Sequence, residues 1–245
     1  MAFFDLLFGA LLALFATTLG SLLVMFSHRL GLKSYAYLLG FSGGVMAFAS
    51  VELLLKAYGA GGAVAAFGGF AAGAAVMLAL NLSLPHAHLL LTRRELGHSK
   101  RKAFLLAGTI TLHNIPEGLS LASAFALSVP LGWVVAFSIA IQDVVEGFAV
   151  SAPLAFYGMG MRQSMLLGAF SGVVELAAAV AGFFLLSSIL SAVPFALAFS
   201  SGSMAFVVFH ELMPDAHEKA GKYPALWSLA IGAVCAATLA LLLGF

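Results

Sequence analysis

Residues 103 to 157 read AFLLAGTITLHNIPEGLSLASAFALSVPLGWVVAFSIAIQDVVEGFAVSAPLAFY. Two apolar runs meet at residues 128 to 132, and each carries its polar residues in the middle rather than at the ends. An apolar helix of about 20 residues crosses the hydrocarbon core, and lipid-exposed backbone must satisfy its own hydrogen bonds, so both runs read as transmembrane helices. An ionised carboxylate at mid-depth costs about 2.5–3.5 kcal/mol on insertion scales. Acids in the middle of such runs are therefore functional candidates.

The rest of the 245 residues has the same character, with 62% hydrophobic and only 9% charged residues, against about 25% charged in soluble domains. The chain reads as an all-α integral membrane protein. With 11 Lys+Arg against 10 Asp+Glu there is no basic excess to draw in phosphates, so a nucleic-acid partner is not expected. A soluble enzyme is excluded by the same composition. The single cysteine, Cys235, allows neither an internal disulfide nor a thiolate cluster. Metal chemistry in this chain would rest on imidazole, carboxylate, amide and thioether groups.

Polar or Gly/Pro-rich breaks divide the sequence into eight expected helices at 3–27, 34–56, 63–90, 103–127, 132–157, 163–190, 195–216 and 224–245, forming one transmembrane domain over 1–245. The first segment lacks the basic start of a signal peptide and is kept as a helix. The connections after the odd-numbered helices hold Arg29, Lys33, Arg93, Arg94, Lys100, Arg101, Lys102, Arg162, Lys219 and Lys222, and those after the even-numbered ones hold only Lys56. The positive-inside tendency makes the first set cytoplasmic and places both termini outside. The abundant glycines, clustered between Gly59 and Gly73, read as close helix packing in lipid.

In the fourth expected helix His113 and Glu117 are i and i+4, with Asn114 between them. In the fifth, Gln142 and Glu146 repeat that spacing with Asp143 between them, so each helix offers its polar groups on one face. At 1.5 Å per residue these positions lie roughly 15 Å into a core about 30 Å thick. Pro116 has no amide proton and leaves the Leu112 carbonyl without its helical partner. The two segments match as x-polar-polar-x-x-Glu-Gly on helices running in opposite directions, the pattern of an inverted repeat with helices 4 and 5 central. Glu175 in the sixth helix and Met46 in the second fall at similar depth. Met46 by itself reads as core filler.

If ionised, Glu117, Asp143, Glu146 and Glu175 sum to minus four, with no Lys or Arg at their depth. Two divalent cations would cancel that charge. The competing reading has some of these acids protonated along a proton pathway. The interleaved His, Asn and Gln supply neutral donors suited to a borderline metal, which favours metal binding.

Six histidines, His28, His86, His88, His98, His210 and His217, fall on the cytoplasmic side. With Glu211 and Asp215, His210 and His217 form a candidate exit relay at the end of the seventh helix, about sixteen or more residues down that helix and beyond contact with the mid-depth residues. Glu52, in the outer half of the second helix, is the candidate entry residue.

His-Asn-x-Pro-Glu-Gly at 113–118, Gln-Asp-x-x-Glu-Gly at 142–147, Ser-Gly-x-x-Glu at 171–175 and His-Glu-x-x-Pro at 210–214 resemble the motifs of the Zrt/Irt-like (ZIP) divalent metal transporters, particularly the bacterial GufA-like branch. The resemblance covers the whole chain. It implies a binuclear site, with Met46, His113, Glu117, Gln142 and Glu146 around one ion, and Asn114, Asp143 and Glu175 joining Glu117 and Glu146 around the other. It also implies an elevator-like sliding of one helix group against another. The chain departs from many members in carrying Gln142 and Val145 where those have His and Pro, and in its short connection between helices 3 and 4.

The expected function is import of divalent transition-metal ions, Zn2+ foremost, with Fe2+, Mn2+ and Cd2+ as alternatives, by a secondary transporter of the cell (inner) membrane. The metal is the transported substrate, and no organic cofactor is expected. No nucleotide-binding Gly-x-x-x-x-Gly-Lys-Ser/Thr motif occurs. Expected partners are divalent metal ions, the lipid bilayer and a second copy in a homodimer. The runner-up is an intramembrane metal-dependent hydrolase with Glu117 or Glu146 as base. The sequence lacks His-Glu-x-x-His, and crowded acids weaken a metal as a Lewis acid, so an enzyme is not expected.

Overall fold

The computed structural model describes residues 2–29, 32–91, 98–156 and 158–243, with side chains except at 27–29, 32, 84–91, 98–107, 109 and 110. Every described element is helical: α1 (Ala2–Leu22), continued by a 3-10 turn (Leu23–Arg29), α2 (Leu32–Leu91), α3 (His98–Leu127), α4 (Val129–Phe156), α5 (Met161–Ser188), a 3-10 turn (Leu190–Ala192), α6 (Val193–Val207), a π-helical turn (Val208–Leu212), α7 (Met213–Ala220) and α8 (Lys222–Leu242). Six helical runs among the described residues are long and apolar enough to cross a membrane.

The face pattern is that of a helix in lipid. On α1 the large side chains Phe4, Phe8, Leu11, Phe15 and Leu19 are exposed, while Leu6, Gly9, Ala10, Ala13, Thr17 and Gly20 are buried. Lipid removes the hydrophobic drive to hide large side chains, and small residues on the inner face let backbones come close.

α2 is 60 residues long, about 90 Å if straight, or three times the core thickness. It is interrupted at Gly62, whose φ of 71° and ψ of −174° lie outside helical space. A side chain is strained at that φ, so glycine is the residue that lets the chain reverse. The neighbours on α6 and the π turn that continues it trace the reversal. Gly43 faces Val208 and Leu212, Ser50 bonds Ser201, and Gly61 faces Pro194; then Gly69 faces Phe195 and Ala198, and Gly73 faces Phe199 and Ser203. Positions on α6 fall and then rise, so the arms 32–61 and 63–91 are antiparallel and embrace the same helix. The second and third expected helices thus meet at a single residue, and the break expected at 56–62 is helical up to Gly62. Ser50 and Ser201 each donate to the other's carbonyl oxygen, at 2.8 and 2.7 Å, fastening the hairpin to α6.

The connection between α3 and α4 is shorter than the expected 128–132 break. Ser128 alone separates them, and its Oγ accepts from the Leu131 amide at 3.3 Å, capping α4. The expected seventh helix is split into α6, the π turn and α7, and runs on to Ala220 before Gly221 (φ 91°) starts α8. Pro214 accounts for the split: with no N–H it cannot bond the His210 carbonyl, and the ladder widens immediately before it.

Close approaches sort the helices into two groups. α1 lies along α4, α3 along α5, and α1 along α5, making a motif bundle. α2 packs on α6, α7 and α8, making a hairpin group in which Gly44 faces the Leu229 carbonyl and Gly232 the Phe41 carbonyl. The groups meet where α3 lies on α6 and α4 on α2.

Candidate metal centre

The glycine that follows each motif glutamate sets the spacing of the motif bundle. A Cβ on Gly118 would lie 2.3 Å from the Glu175 carbonyl oxygen, and one on Gly147 would lie 2.0 Å from the Thr17 carbonyl oxygen. Glu117 is therefore carried beside α5, and Glu146 beside α1, at backbone-to-backbone distance. The tight turn at Ser128 sets α3 antiparallel to α4 and brings the two motifs face to face.

One carboxylate oxygen each from Glu117, Asp143 and Glu146 lies within 4.8 Å of the others, and all three residues are buried. Gln142 Nε2 donates to Glu117 Oε1 at 2.6 Å across the α3–α4 seam. Ser42, from the hairpin group, donates to Glu146 Oε1 at 3.5 Å. Glu175 on α5 and Thr17 on α1 both adjoin Asp143. Met46 is fully buried on α2, one turn beyond Ser42 and on the same face of the helix.

Many buried polar atoms at this place have no hydrogen-bond partner: both side-chain heteroatoms of Asn114, Oε2 of Glu117, Oε1 of Gln142, both oxygens of Asp143, Oε2 of Glu146 and both oxygens of Glu175. An unsatisfied buried polar group costs about 1–3 kcal/mol, more when charged. Natural proteins keep such groups few. The part of this set that draws together fits a cation: it is made of oxygens, and one each from Glu117, Asp143 and Glu146 can approach the same point.

The sequence therefore anticipated a set that folding largely brings together. Glu117, Asp143 and Glu146 form its centre, Gln142 and Glu175 adjoin it, and Asn114 shares its burial. His113 is buried as well, but its Nε2 lies 3.1 Å from Glu211 Oε1. That overturns the expectation that Glu211 lies beyond contact with the mid-depth residues. Counting residues along the seventh helix ignored two things. His113 stands a full turn before Glu117 on α3, and the π turn that contains Glu211 places its carboxylate within reach of α3.

The other relay candidates are dispersed. His210 is exposed and stacks on Phe206, with ring centroids 4.6 Å apart. His217 is exposed, and Asp215 is ion-paired with Lys219. Glu52 is half-buried on the first arm of α2, ten residues before Gly62. The side chains of His28, His86, His88 and His98 lie outside the described residues, as do residues 92–97 of the connection before α3.

Sequence reasoning missed Asn81, Ser42 and Thr17. Asn81 Nδ2 donates to Glu211 Oε1 at 2.8 Å. Its signal was present: a carboxamide inside the apolar run VMLALNLSL carries the same cost in lipid as the other polar groups. Ser42 and Thr17 carried none, since small hydroxyl residues are common in packed membrane helices, where they bond their own backbone.

A family profile described as ZIP Zinc transporter matches residues 83–245. The chain is 33% identical over 235 residues to the zinc transporter ZupT of Stenotrophomonas maltophilia (strain K279a), covering 89% of this chain and 87% of that protein. It is 33% identical over 163 residues to the zinc transporter GufA of Myxococcus xanthus, covering 66% and 64% of the two chains. To the zinc transporter ZIPB of Bordetella bronchiseptica it is 30% identical over 234 residues, 89% of this chain and 74% of that one. ZIP proteins are multi-pass membrane transporters rather than enzymes, so the hydrolase reading finds no support. The chain, an all-helical membrane protein, belongs to the ZIP zinc transporter family.

Proposed function

We propose that this protein is a secondary transporter that carries divalent transition-metal ions, Zn2+ foremost, inward across the cell (inner) membrane through a mid-membrane binuclear site. The observation that carries this reading is the meeting of Glu117, Asp143 and Glu146 within 4.8 Å in a buried setting, surrounded by amide and carboxylate atoms that have no other partner. Met46, His113, Glu117, Gln142 and Glu146 serve one ion. Asn114, Asp143 and Glu175 serve the other, with Glu117 and Glu146 bridging. Two divalent ions balance four carboxylates, and no organic cofactor is needed. Fe2+, Mn2+ and Cd2+ are alternative substrates, because an oxygen-rich site with one imidazole and one thioether does not select sharply among them.

The chain crosses the bilayer eight times with both termini outside, and α3 and α4 carry inverted copies of one motif. Two arms of α2 and the α6 to α7 run supply three of those crossings. Glu52 guides ions inward at the outer side, and His210, Asp215 and His217 receive them at the cytoplasmic side. Alternation moves the motif bundle against the hairpin group. The division is supported by the glycine-lined backbone contacts within each group. A homodimer in the bilayer is the expected assembly.

The test is uptake into proteoliposomes with a panel of divalent ions. Saturable Zn2+ uptake that is lost in Glu117→Ala supports the reading, and wild-type uptake by a folded Glu117→Ala protein refutes it.

A further inference from the structure

His113 is one turn from Glu117 on α3, within reach of the carboxylate cluster by sequence. Its ring nevertheless is not part of that cluster; its Nε2 meets Glu211 Oε1 at 3.1 Å. The same oxygen accepts from Asn81 Nδ2 at 2.8 Å. Glu211 and Asn81 both belong to the hairpin group, one on the π turn after α6 and the other on the second arm of α2, whereas His113 belongs to the motif bundle. The pairing is sheltered, with the His113 and Glu211 side chains 5% and 16% exposed.

The chemistry of the imidazole makes the arrangement exclusive. A carboxylate accepts, so a ring nitrogen bonded to it carries hydrogen and has no lone pair for a metal. Asn81 fixes the acceptor oxygen in place by donating to it. We propose that Asn81 and Glu211 are positioning residues that compete with the transported ion for Nε2 of His113, joining the two helix groups when the mid-membrane site is empty and releasing them when it fills. The proposal rests on the transport reading and adds to it how filling the site is communicated to the boundary along which the groups move. It gives Glu211 a part distinct from a waypoint for departing ions: it holds a ligand, not the ion.

The sign of the effect is diagnostic. Removing an anion near a cation site ordinarily weakens cation binding, because attraction is lost. Removing a competitor for a ligand strengthens it. The experiment is equilibrium binding of Zn2+ to the purified full-length protein by calorimetry, for wild type, Glu211→Ala, Asn81→Ala and Glu211→Gln, each also in a His113→Ala background. Loss of a hydrogen bond that metal binding must break, partly offset by the loss of a nearby anion, tightens binding by about three- to tenfold in Glu211→Ala. Asn81→Ala acts in the same direction and less. Glu211→Gln keeps an oxygen acceptor and stays nearer wild type, and in the His113→Ala background the Glu211→Ala effect disappears.

Unchanged or weaker binding in both Glu211→Ala and Asn81→Ala overturns the proposal. Weaker binding would mean that Glu211 orients the ring for a metal on Nδ1, as carboxylates behind ligating histidines do. An effect that survives His113→Ala also overturns it. A wild-type protein that neither binds nor transports Zn2+ would instead be a failure of the functional reading, and is recognised by the wild-type control alone.

Discussion

Glu117→Gln separates stability from function at the centre of the site. The substitution keeps the shape of the side chain and the oxygen that accepts from Gln142 at 2.6 Å, and removes one negative charge from a trio within 4.8 Å. Two unit charges at that separation repel by about 3.5 kcal/mol at an effective dielectric of about 20. Part of this is already relieved in the metal-free protein by neighbouring dipoles, which leaves about 1–2 kcal/mol for the substitution to recover. In a chain of this size that is a rise in melting temperature of about 2–8 °C. The assay is thermal unfolding in detergent with chelator and with excess Zn2+. With chelator, Glu117→Gln melts above wild type. With Zn2+, wild type rises strongly because ligand binding to the folded state adds RT ln(1 + [L]/Kd), while the variant rises little, so the order reverses. A variant that melts below wild type in chelator, or gains as much from Zn2+ as wild type does, refutes the reasoning.

Gly147→Ala drives a methyl group to 2.0 Å from the Thr17 carbonyl oxygen, about 1.4 Å short of the 3.4 Å at which ordinary contact begins; α1 must withdraw from α4, costing about 1–3 kcal/mol, and both melting temperature and uptake fall. Asp143→Ala and Glu175→Ala each reduce the metal content of purified protein, measured by mass spectrometry of the bound ions, from two toward one, whereas Met46→Ala lowers affinity at the other ion. The double variant His210→Ala, His217→Ala touches exposed residues, and if they receive departing ions it slows initial uptake while equilibrium Zn2+ binding stays at the wild-type value; unchanged uptake makes them solvated side chains only.

Much of this arrangement is legible in the sequence because lipid makes polarity expensive. Glu117, Asp143, Glu146 and Glu175 stand out against apolar neighbours, and the 3.6-residue period alone puts His113 and Glu117, or Gln142 and Glu146, on one side of a helix. The Glu-Gly pairs were legible as motif letters, but their physical use was not: only the approach of α1 and α5 explains why glycine must follow each glutamate. Residue counting failed at Glu211 because depth along an ideal helix says nothing of a π turn before Pro214, or of two long side chains bridging neighbouring helices. Asn81 escaped for another reason. A lone carboxamide has no periodic partner on its own helix, and its partner, Glu211, is 130 residues away in sequence. Gly62 could be read as a break but not as the tip of a hairpin, since the reversal emerges only from the successive neighbours on α6.

The central claim is that the transported ion sits among the carboxylates of α3 and α4. Anomalous scattering from crystals of the wild-type protein grown with Zn2+, recorded on either side of the zinc edge, tests it most directly. The account predicts two peaks in the motif bundle, both touching Glu117 and Glu146, one adjoining Gln142 and the other adjoining Asp143 and Glu175, with His113 turned away from Glu211. Peaks confined to the surface histidines, with none between Glu117, Asp143 and Glu146, would contradict it.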